Sequence, residues 1–570
     1  MTALFNALDN YTHSQIGENG HSEFTCSNST REQILQLSFQ LTRSKDDRQI
    51  NQLSKIADQI LSQLASDYKI QKISKPEYIG YMSIMFRLVG QTRDIIDGKG
   101  EYSLAYMLLS VWNKHHPSLA RFAFECFLVG PAHPYGSWKD VKGMIKYMEQ
   151  QNTGKDLIVY AIKLLNSQLK EDTTVATPSL AGKWAPREKS SHSRLFVKLA
   201  LDYYSEYIDS AKTPEMVRRA ETKAKMDYRK LISSLNKKLD TVQIKQCANT
   251  WCEIEPSNQT SITMHKQKQA FLNKTKKGEQ RSESEDRILC GKKFEEFALK
   301  AEKGEVEIKG KRIGLNDFTQ EALNLINSQK ERSSEAQILN AQWVNNSQQT
   351  GKLGKMVAMV DVSGSMHGDP LHAAIALGLR IAEKSMLGKR VLTFSATPQW
   401  VNLDGCDNFV SMVKMVQHAD WGMNTNFYKA LDMILNAIVE NKLQPEDVED
   451  MVLTIFSDMQ IDKADSSYGS MMSGIEEKYA EAGMRLYKKP FKAPHILFWN
   501  LRSTSGFPAL SLQKNASMMS GFSAALLNLF CEEGLNALQS CTPWSLFLKS
   551  VNLERYQILE DRLRDELENI

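Results

Sequence analysis

The chain has 570 residues, of which 42% are hydrophobic and 24% charged, and its 71 Lys and Arg against 67 Asp and Glu leave a net charge of only +4. That composition is ordinary for a soluble globular protein of two or three domains with ample core, and whole-chain charge does not argue for nucleic acid. The eight cysteines (Cys26, Cys126, Cys247, Cys252, Cys290, Cys406, Cys531 and Cys541) include no Cys-x-x-Cys pair, which argues against a zinc ribbon and for thiols kept as small apolar side chains in a reducing compartment. The first fifteen residues lack a basic stretch followed by an apolar core, and no run of about 18 apolar residues marks a membrane span. The expected setting is intracellular and cytoplasmic, with the nucleus left open and no membrane contact.

Residues 1–30 are polar, rich in Asn, Ser, Thr and Gly, and read as a tail or a loosely docked arm. Helical patterning starts at Ser29-Thr30-Arg31-Glu32-Gln33, followed by Leu35, Leu37, Phe39 and Leu41. A second helix over about 50–65 carries Leu53, Ile56, Ile60, Leu61 and Leu64 on one side. Helix-like segments follow over 76–95, 100–114, 116–130, 137–151 and 154–170, punctuated by Pro117, Gly130-Pro131 and Gly136. Amphipathic helices in succession, with no clear strand and no fixed repeat period, predict an α-solenoid (HEAT-like) or irregular helical domain over 31–345. Gly98-Lys99-Gly100 lacks the spacing of a phosphate loop and follows no strand, so it reads as a turn between helices. Trp138 and Trp184 are able to stack on bases, but packing between helices is the simpler reading of each.

Residues 183–281 are the basic part of the chain, with 21 Lys and Arg against 11 Asp and Glu. Lys183, Arg187, Arg218, Arg219, Lys223, Arg229, Lys230, Lys237 and Lys238 are the candidate phosphate contacts, with Tyr203, Tyr204, Tyr207 and Tyr228 nearby for stacking. The bland alternative for any one of them is a solvated helix face. Two more helices are expected over Cys290–Leu299 and Phe318–Ile326, and the polar run Asn345–Lys352 reads as a linker.

From Met356 the pattern changes. Met356-Val-Ala-Met-Val360 reads as a strand buried on both faces, and it runs straight into Asp361-x-Ser363-x-Ser365. That triplet falls at a strand's C-terminal end, where open α/β sheets place ligands. One carboxylate and two hydroxyls at alternate positions suit a small hard cation such as Mg²⁺. Strands over 390–395, 400–403, 450–457, 495–500 and 517–520 alternate with helices over 370–387, 407–417, 426–441 and 472–485, and with one from Ser523. This is a doubly wound, Rossmann-like pattern over 353–545. A charged helix over about 551–569 closes the chain in the segment 546–570. Its Leu553, Ile558, Leu559, Leu563 and Leu567 form a stripe expected to dock on the chain itself. The predicted fold class is thus α plus α/β.

Asp361-x-Ser363-x-Ser365 resembles the metal-ion-dependent adhesion site of von Willebrand factor A (vWA) domains. The resemblance extends to a distant Thr, matched by Thr425 in Trp421–Phe427, and a distant Asp, matched by Asp458 after Leu453–Ser457. It implies that Ser363, Ser365 and Thr425 ligate Mg²⁺ directly, with Asp361 and Asp458 inside or just outside that shell. One position then stays open for a partner's carboxylate. Gln91–Tyr102 and Pro134–Val141, with Ser179–Pro186, Tyr228–Ile232 and Trp251–Ile254, resemble TROVE-type proteins of the Ro autoantigen group. The likeness is greater to a TROVE-like family known only as a domain of unknown function. In the Ro group a helical-repeat ring binds RNA and a vWA domain closes it. The implied function is a non-enzymatic, Ro-like ribonucleoprotein component. The alternative is a protein-interaction scaffold that grips an acidic side chain through the metal site, without nucleic acid. Ser363 lacks the Gly-x-Ser-x-Gly setting of a hydrolase serine.

Overall fold

A computed structural model describes residues 14–16, 22–25, 29–130, 133–419, 426–449, 451–460, 471–502, 506–531 and 541–568. It is mostly helical, with one six-stranded mixed sheet in the C-terminal part. In chain order the helices begin with α1 Thr30–Gln40, α2 Asp47–Lys69, α3 Lys75–Arg93, α4 Ser103–His115, α5 Pro117–Leu128, α6 Lys139–Gln150 and α7 Lys155–Thr174. There follow α8 Ala181–Trp184, α9 Ser193–Tyr203, α10 Ser205–Asp209, α11 Pro214–Lys238, α12 Val242–Ala248, α13 Ser261–Phe271, α14 Glu285–Glu302, α15 Leu315–Asn327 and α16 Ser334–Ser347. The C-terminal part carries α17 Asp369–Lys384, α18 Phe409–Gln417, α19 Phe427–Glu440, α20 Pro445–Glu449, α21 Met471–Tyr487, α22 Pro543–Val551 and α23 Gln557–Glu568.

Sequence signals account for the helix starts. Ser74 accepts from the backbone of Glu77 and Glu77 returns the bond, a full capping box with Pro76 in the first turn of α3. Thr213 caps α11 by accepting from the Met216 backbone, with Pro214 in the first helical position. Successive helices pack on near neighbours, α4 on α2, α3 and α5, and α7 on α6 and α9. Of the polar N-terminal stretch, the described residues form a short antiparallel pair, β1 Ser14–Ile16 and β2 Ser22–Phe24, and the Phe24 backbone bonds to Phe507.

The sheet runs β5-β4-β3-β6-β7-β8. β3 is Met356–Asp361, β4 Arg390–Phe394, β5 Gln399–Asn402, β6 Val452–Ser457, β7 His495–Asn500 and β8 Ala516–Ser520. β4 and β5 pair antiparallel as a hairpin and the rest are parallel. Alternate side chains of each strand join opposite cores, as the two-residue period requires. Met359, Leu392, Ile455 and Phe498 join a cluster shared with the N-terminal helices and α23. Ala358, Val360, Val391, Leu497 and Trp499 join a second, with α15 and α17. A third cluster, around Ile254, Met264, Phe271, Phe294, Ile308 and Ile338, holds the segment before α16.

Two expectations change. The polar run from Asn345 begins inside α16, and Asn345 and Asn346 are buried. Asn345 accepts from the Gly310 and Lys311 backbones, and Asn346 Oδ1 accepts from the buried Arg380 of α17. Its polarity satisfies buried groups rather than marking a solvated linker. The segment after Ser523 is a 3-10 stretch, Ala524–Phe530, with α22 starting at Pro543. The C-terminal stripe does dock on the chain. Leu559, Leu563 and Leu567 are buried and α23 packs on α3, whereas Ile558 points to solvent.

Candidate metal centre and basic surface

Asp361 ends β3 and Asp458 follows β6, its parallel neighbour, so strand order brings both carboxylates to one edge. Ser363 opens the turn that leads into α17, with Ser365 two residues further along it. Both Asp side chains are buried. Asp361 Oδ1 accepts from the Ser363 backbone at 2.9 Å and its Oδ2 from Ser457 Oγ at 2.6 Å. Ser363 Oγ and Ser365 Oγ lie 3.1 Å apart. Asp458 Oδ1 accepts from the Gln460 backbone at 3.2 Å, while its buried Oδ2 has no hydrogen-bond partner among the described residues. Burial raises the pKa of both carboxyls. The Asp458 charge adds to the shift of Asp361, and its bonds from Ser363 and Ser457 oppose it. Bonds from Gln460 and Ser365 and the charge of Arg502 oppose the shift of Asp458.

Two buried, mutually repelling carboxylates beside two converging hydroxyls, with one carboxylate oxygen unsatisfied, fit a divalent cation. Thr425, the remaining member of the pattern, lies outside the described residues. Sequence reasoning missed two participants. Ser457 fixes Asp361. Arg502, two residues beyond β7, donates to the Ser365 carbonyl at 3.0 Å and lies 3.6 Å from Asp458 Oδ2. The rule that ligands gather at strand C-termini would have found Arg502, because it follows the third parallel strand of the set. His367 is exposed, and burial lowers the pKa of the half-buried His372.

The basic segment does not form one surface. Lys268 is buried against Glu321, Lys245 pairs with Asp240, and Lys274 pairs with Glu295. The continuous part is α11, whose Ala224, Tyr228, Ile232 and Leu235 face the core. At 100° per residue, Arg219, Lys223, Lys230 and Lys237 line the opposite face, spanning about 27 Å of helix. Arg218, Lys225 and Arg229 form a second row on the flank. Glu215 and Glu188 pair with Arg219 and Arg229, and Lys238 bonds to the Thr173 carbonyl. Lys183 sits half-buried in α8, and Arg187 is exposed just beyond it. Of the tyrosines, Tyr228 is a buried packing residue, whereas Tyr204 and Tyr207 stack on each other with Lys223 Nζ 4.1 Å from the Tyr207 ring. Trp138 is buried and Trp184 half-buried.

The phrases 91–102 and 134–141 pack together. Arg93 makes a buried bidentate pair with Asp140, both bonds 2.7 Å, and Tyr106 donates to the same carboxylate. Lys99 is fully buried, donating to the Ser38 and Leu41 carbonyls and to Ser520 Oγ at the end of β8. Gly98-Lys99-Gly100 therefore joins the helical part to the sheet and is no phosphate loop.

Residues 155–356 match a family model described as a domain of unknown function (DUF2828), and residues 355–547 match a second (DUF7788). Uncharacterized protein L728 of Acanthamoeba polyphaga mimivirus is 27% identical over 468 residues, which cover 78% of this chain and 76% of that protein. The crystal structure of the Deinococcus radiodurans Ro (RSR) protein aligns over 90% of this chain and 99% of that one, at 10% identity and a TM-score of 0.33. The chain is thus similar over most of its length to a viral protein of undescribed role, and its two matched segments meet at Lys355–Met356, where β3 begins.

Proposed function

We propose that the chain is a non-enzymatic, Ro-like RNA-binding protein whose helical part contacts RNA. In this reading Asp361, Ser363, Ser365, Thr425 and Asp458 hold Mg²⁺, and the ion takes a carboxylate from a protein partner. The observation that carries the RNA contact is the face of α11 opposite its core, where Arg219, Lys223, Lys230 and Lys237 fall in one row. Such a row tracks a phosphate backbone, and its binding weakens with salt. The preference for RNA over DNA rests on the TROVE-type phrases. Mg²⁺ would supply a positive charge between two buried carboxylates and an open position for an anionic ligand. Ser363 Oγ faces Ser365 and the Asp361 carboxylate, an environment for ligation rather than for activation by a histidine.

The test is binding of structured and single-stranded RNA to the full chain as salt is varied, with and without Mg²⁺. The combined variant Arg218→Glu, Arg219→Glu, Arg229→Glu and Lys230→Glu should abolish binding that falls steeply with salt in the wild type. Asp361→Ala should remove any Mg²⁺ dependence. Absence of RNA binding at low salt would reject this reading in favour of a scaffold that binds an acidic side chain through the metal.

A further inference from the structure

We propose that Tyr102, Lys139, Lys142, Lys183, Trp184 and Arg187 form a subsite for one nucleotide of single-stranded RNA, its phosphate held by the cations and its base stacked on Trp184. This rests on the RNA-binding reading and places the contact at a site outside α11.

The residues come from three separate segments. Lys139 and Lys142 lie on α6, Lys183 and Trp184 on α8, and Tyr102 immediately precedes α4. Lys142 Nζ lies 4.9 Å from the centroid of the Trp184 ring, and Lys139 Nζ and Lys183 Nζ each lie 5.9 Å from it. Lys139 Nζ is also 4.8 Å from the ring of Tyr102, which is 39% exposed. Three ammonium groups thus crowd one half-buried indole. Among the described residues none of these lysines, nor Arg187, has a carboxylate within ion-pair distance. The neighbouring acids are engaged elsewhere. Asp140, next to Lys139, holds Arg93, Glu188, next to Arg187, holds Arg229, and Glu149 holds Lys198.

Burial, followed by the charges of Lys139 and Arg187, lowers the pKa of Lys142, and burial lowers that of Lys183. Burial, with the charges of Lys142 and Lys146, also lowers His192. The repulsion concentrated here is relieved by an anion. Surface lysines alone would suit any polyanion, but here they alternate with the faces of Trp184 and Tyr102. Aromatic faces between phosphate-binding cations suit unpaired bases, because a duplex keeps its bases stacked inside. Lys139, Lys142 and Lys183 all carry their ammonium groups on long flexible stems, so in this reading all three swing from the ring to the phosphate and leave the indole to a base.

The experiment measures fluorescence anisotropy of a labelled single-stranded oligouridylate, and of the same strand in a duplex, with the full-length protein at several salt concentrations. The variant Lys139→Glu, Lys142→Glu and Lys183→Glu should bind the single strand at least about tenfold more weakly. Its salt slope should fall by about 0.7, the contribution of one phosphate contact on a single strand. Trp184→Ala should cost on the order of tenfold with little change in slope, and Trp184→Phe should keep most of the affinity. If Trp184→Ala fails to fold, Trp184→Phe and the lysine variant decide. Wild-type affinity and slope in the lysine variant, with binding lost in the α11 variant, would overturn the subsite and leave the RNA reading standing. No RNA binding by the wild type would overturn both. Equal loss on strand and duplex would overturn the stacked base, and stronger competition by a phosphoserine peptide than by the oligonucleotide would overturn the choice of RNA.

Discussion

Arg502 places a guanidinium 3.6 Å from the unsatisfied oxygen of Asp458, where it partly neutralises the buried carboxylate pair. A cation beside a cation site opposes metal binding by simple Coulomb repulsion. In the proposed Mg²⁺ site, Arg502→Ala should therefore tighten Mg²⁺ binding several-fold by titration calorimetry. Weaker binding would show that Arg502 mainly holds the Ser365 carbonyl in place. Lys99 carries a different electrostatic load. Burial pushes its pKa from 10.5 down to about 7, with Glu101 acting in the opposite direction. Between pH 7 and 10.5 the unfolded chain holds a proton that the folded protein has lost, so the Lys99 contribution to stability rises with pH across that window. Below pH 7 both states are protonated and the dependence vanishes. Lys99→Met also takes the ammonium donor from the Leu41 carbonyl, while Ser520 Oγ and the Ser38 carbonyl keep their bond to each other, so it should lower the melting temperature. The gap between wild type and variant should widen from pH 7 to pH 9.5, and a gap independent of pH would contradict this.

α17 shows how an element is shaped by its neighbours. It is apolar nearly all round because it is covered on both sides, by the sheet and by α15. Gly378 lets it approach β3, since a Cβ there would come within 2.6 Å of Val360 Cγ2. Gly378→Ala should cost about 1–3 kcal/mol, read as a lower melting temperature, and a neutral outcome would mean that the helix can shift outward freely. Arg380, in the same helix, is fully buried under Trp343 and bonded to Asn346 and Thr350. That pairing explains the polar run at 345–350, which composition alone presented as a linker. α11 is the opposite case. Its wide polar face is visible in the sequence as Lys and Arg at helical spacing.

The N-terminal helices and the C-terminal part are joined at several places distant in sequence. Lys99 bonds to the end of β8, Tyr556 donates to the buried Asp94, and α23 packs its leucines on α3. The last described helix thus lies against one of the first, and Gly90 leaves room for Leu559 there. Burying each leucine contributes about 1.5–3 kcal/mol. Leu563→Asp should detach α23, raising amide hydrogen exchange in Lys75–Arg93 and lowering the melting temperature. Unchanged exchange in that helix would show that α23 only rests on the surface.

Local patterning determined the element types and the order of the α/β part. Apolar runs five or six residues long are strands in a covered sheet, and Asp-x-Ser-x-Ser marks the end of one strand and the turn that follows it. The pairing of Asp361 with Asp458 was also legible, because parallel neighbours end on the same side. Tertiary structure alone decided which charges remain unpaired. Lys268 and Lys245 look like Lys142 and Lys183 in the sequence, yet the fold gives the first two carboxylate partners and sets the other two around one indole. It also turned Gly98-Lys99-Gly100 into a buried junction and added Arg502 to the acidic site. Each of these depends on groups far apart along the chain, and a charge's neighbours in space, not in sequence, set its energy.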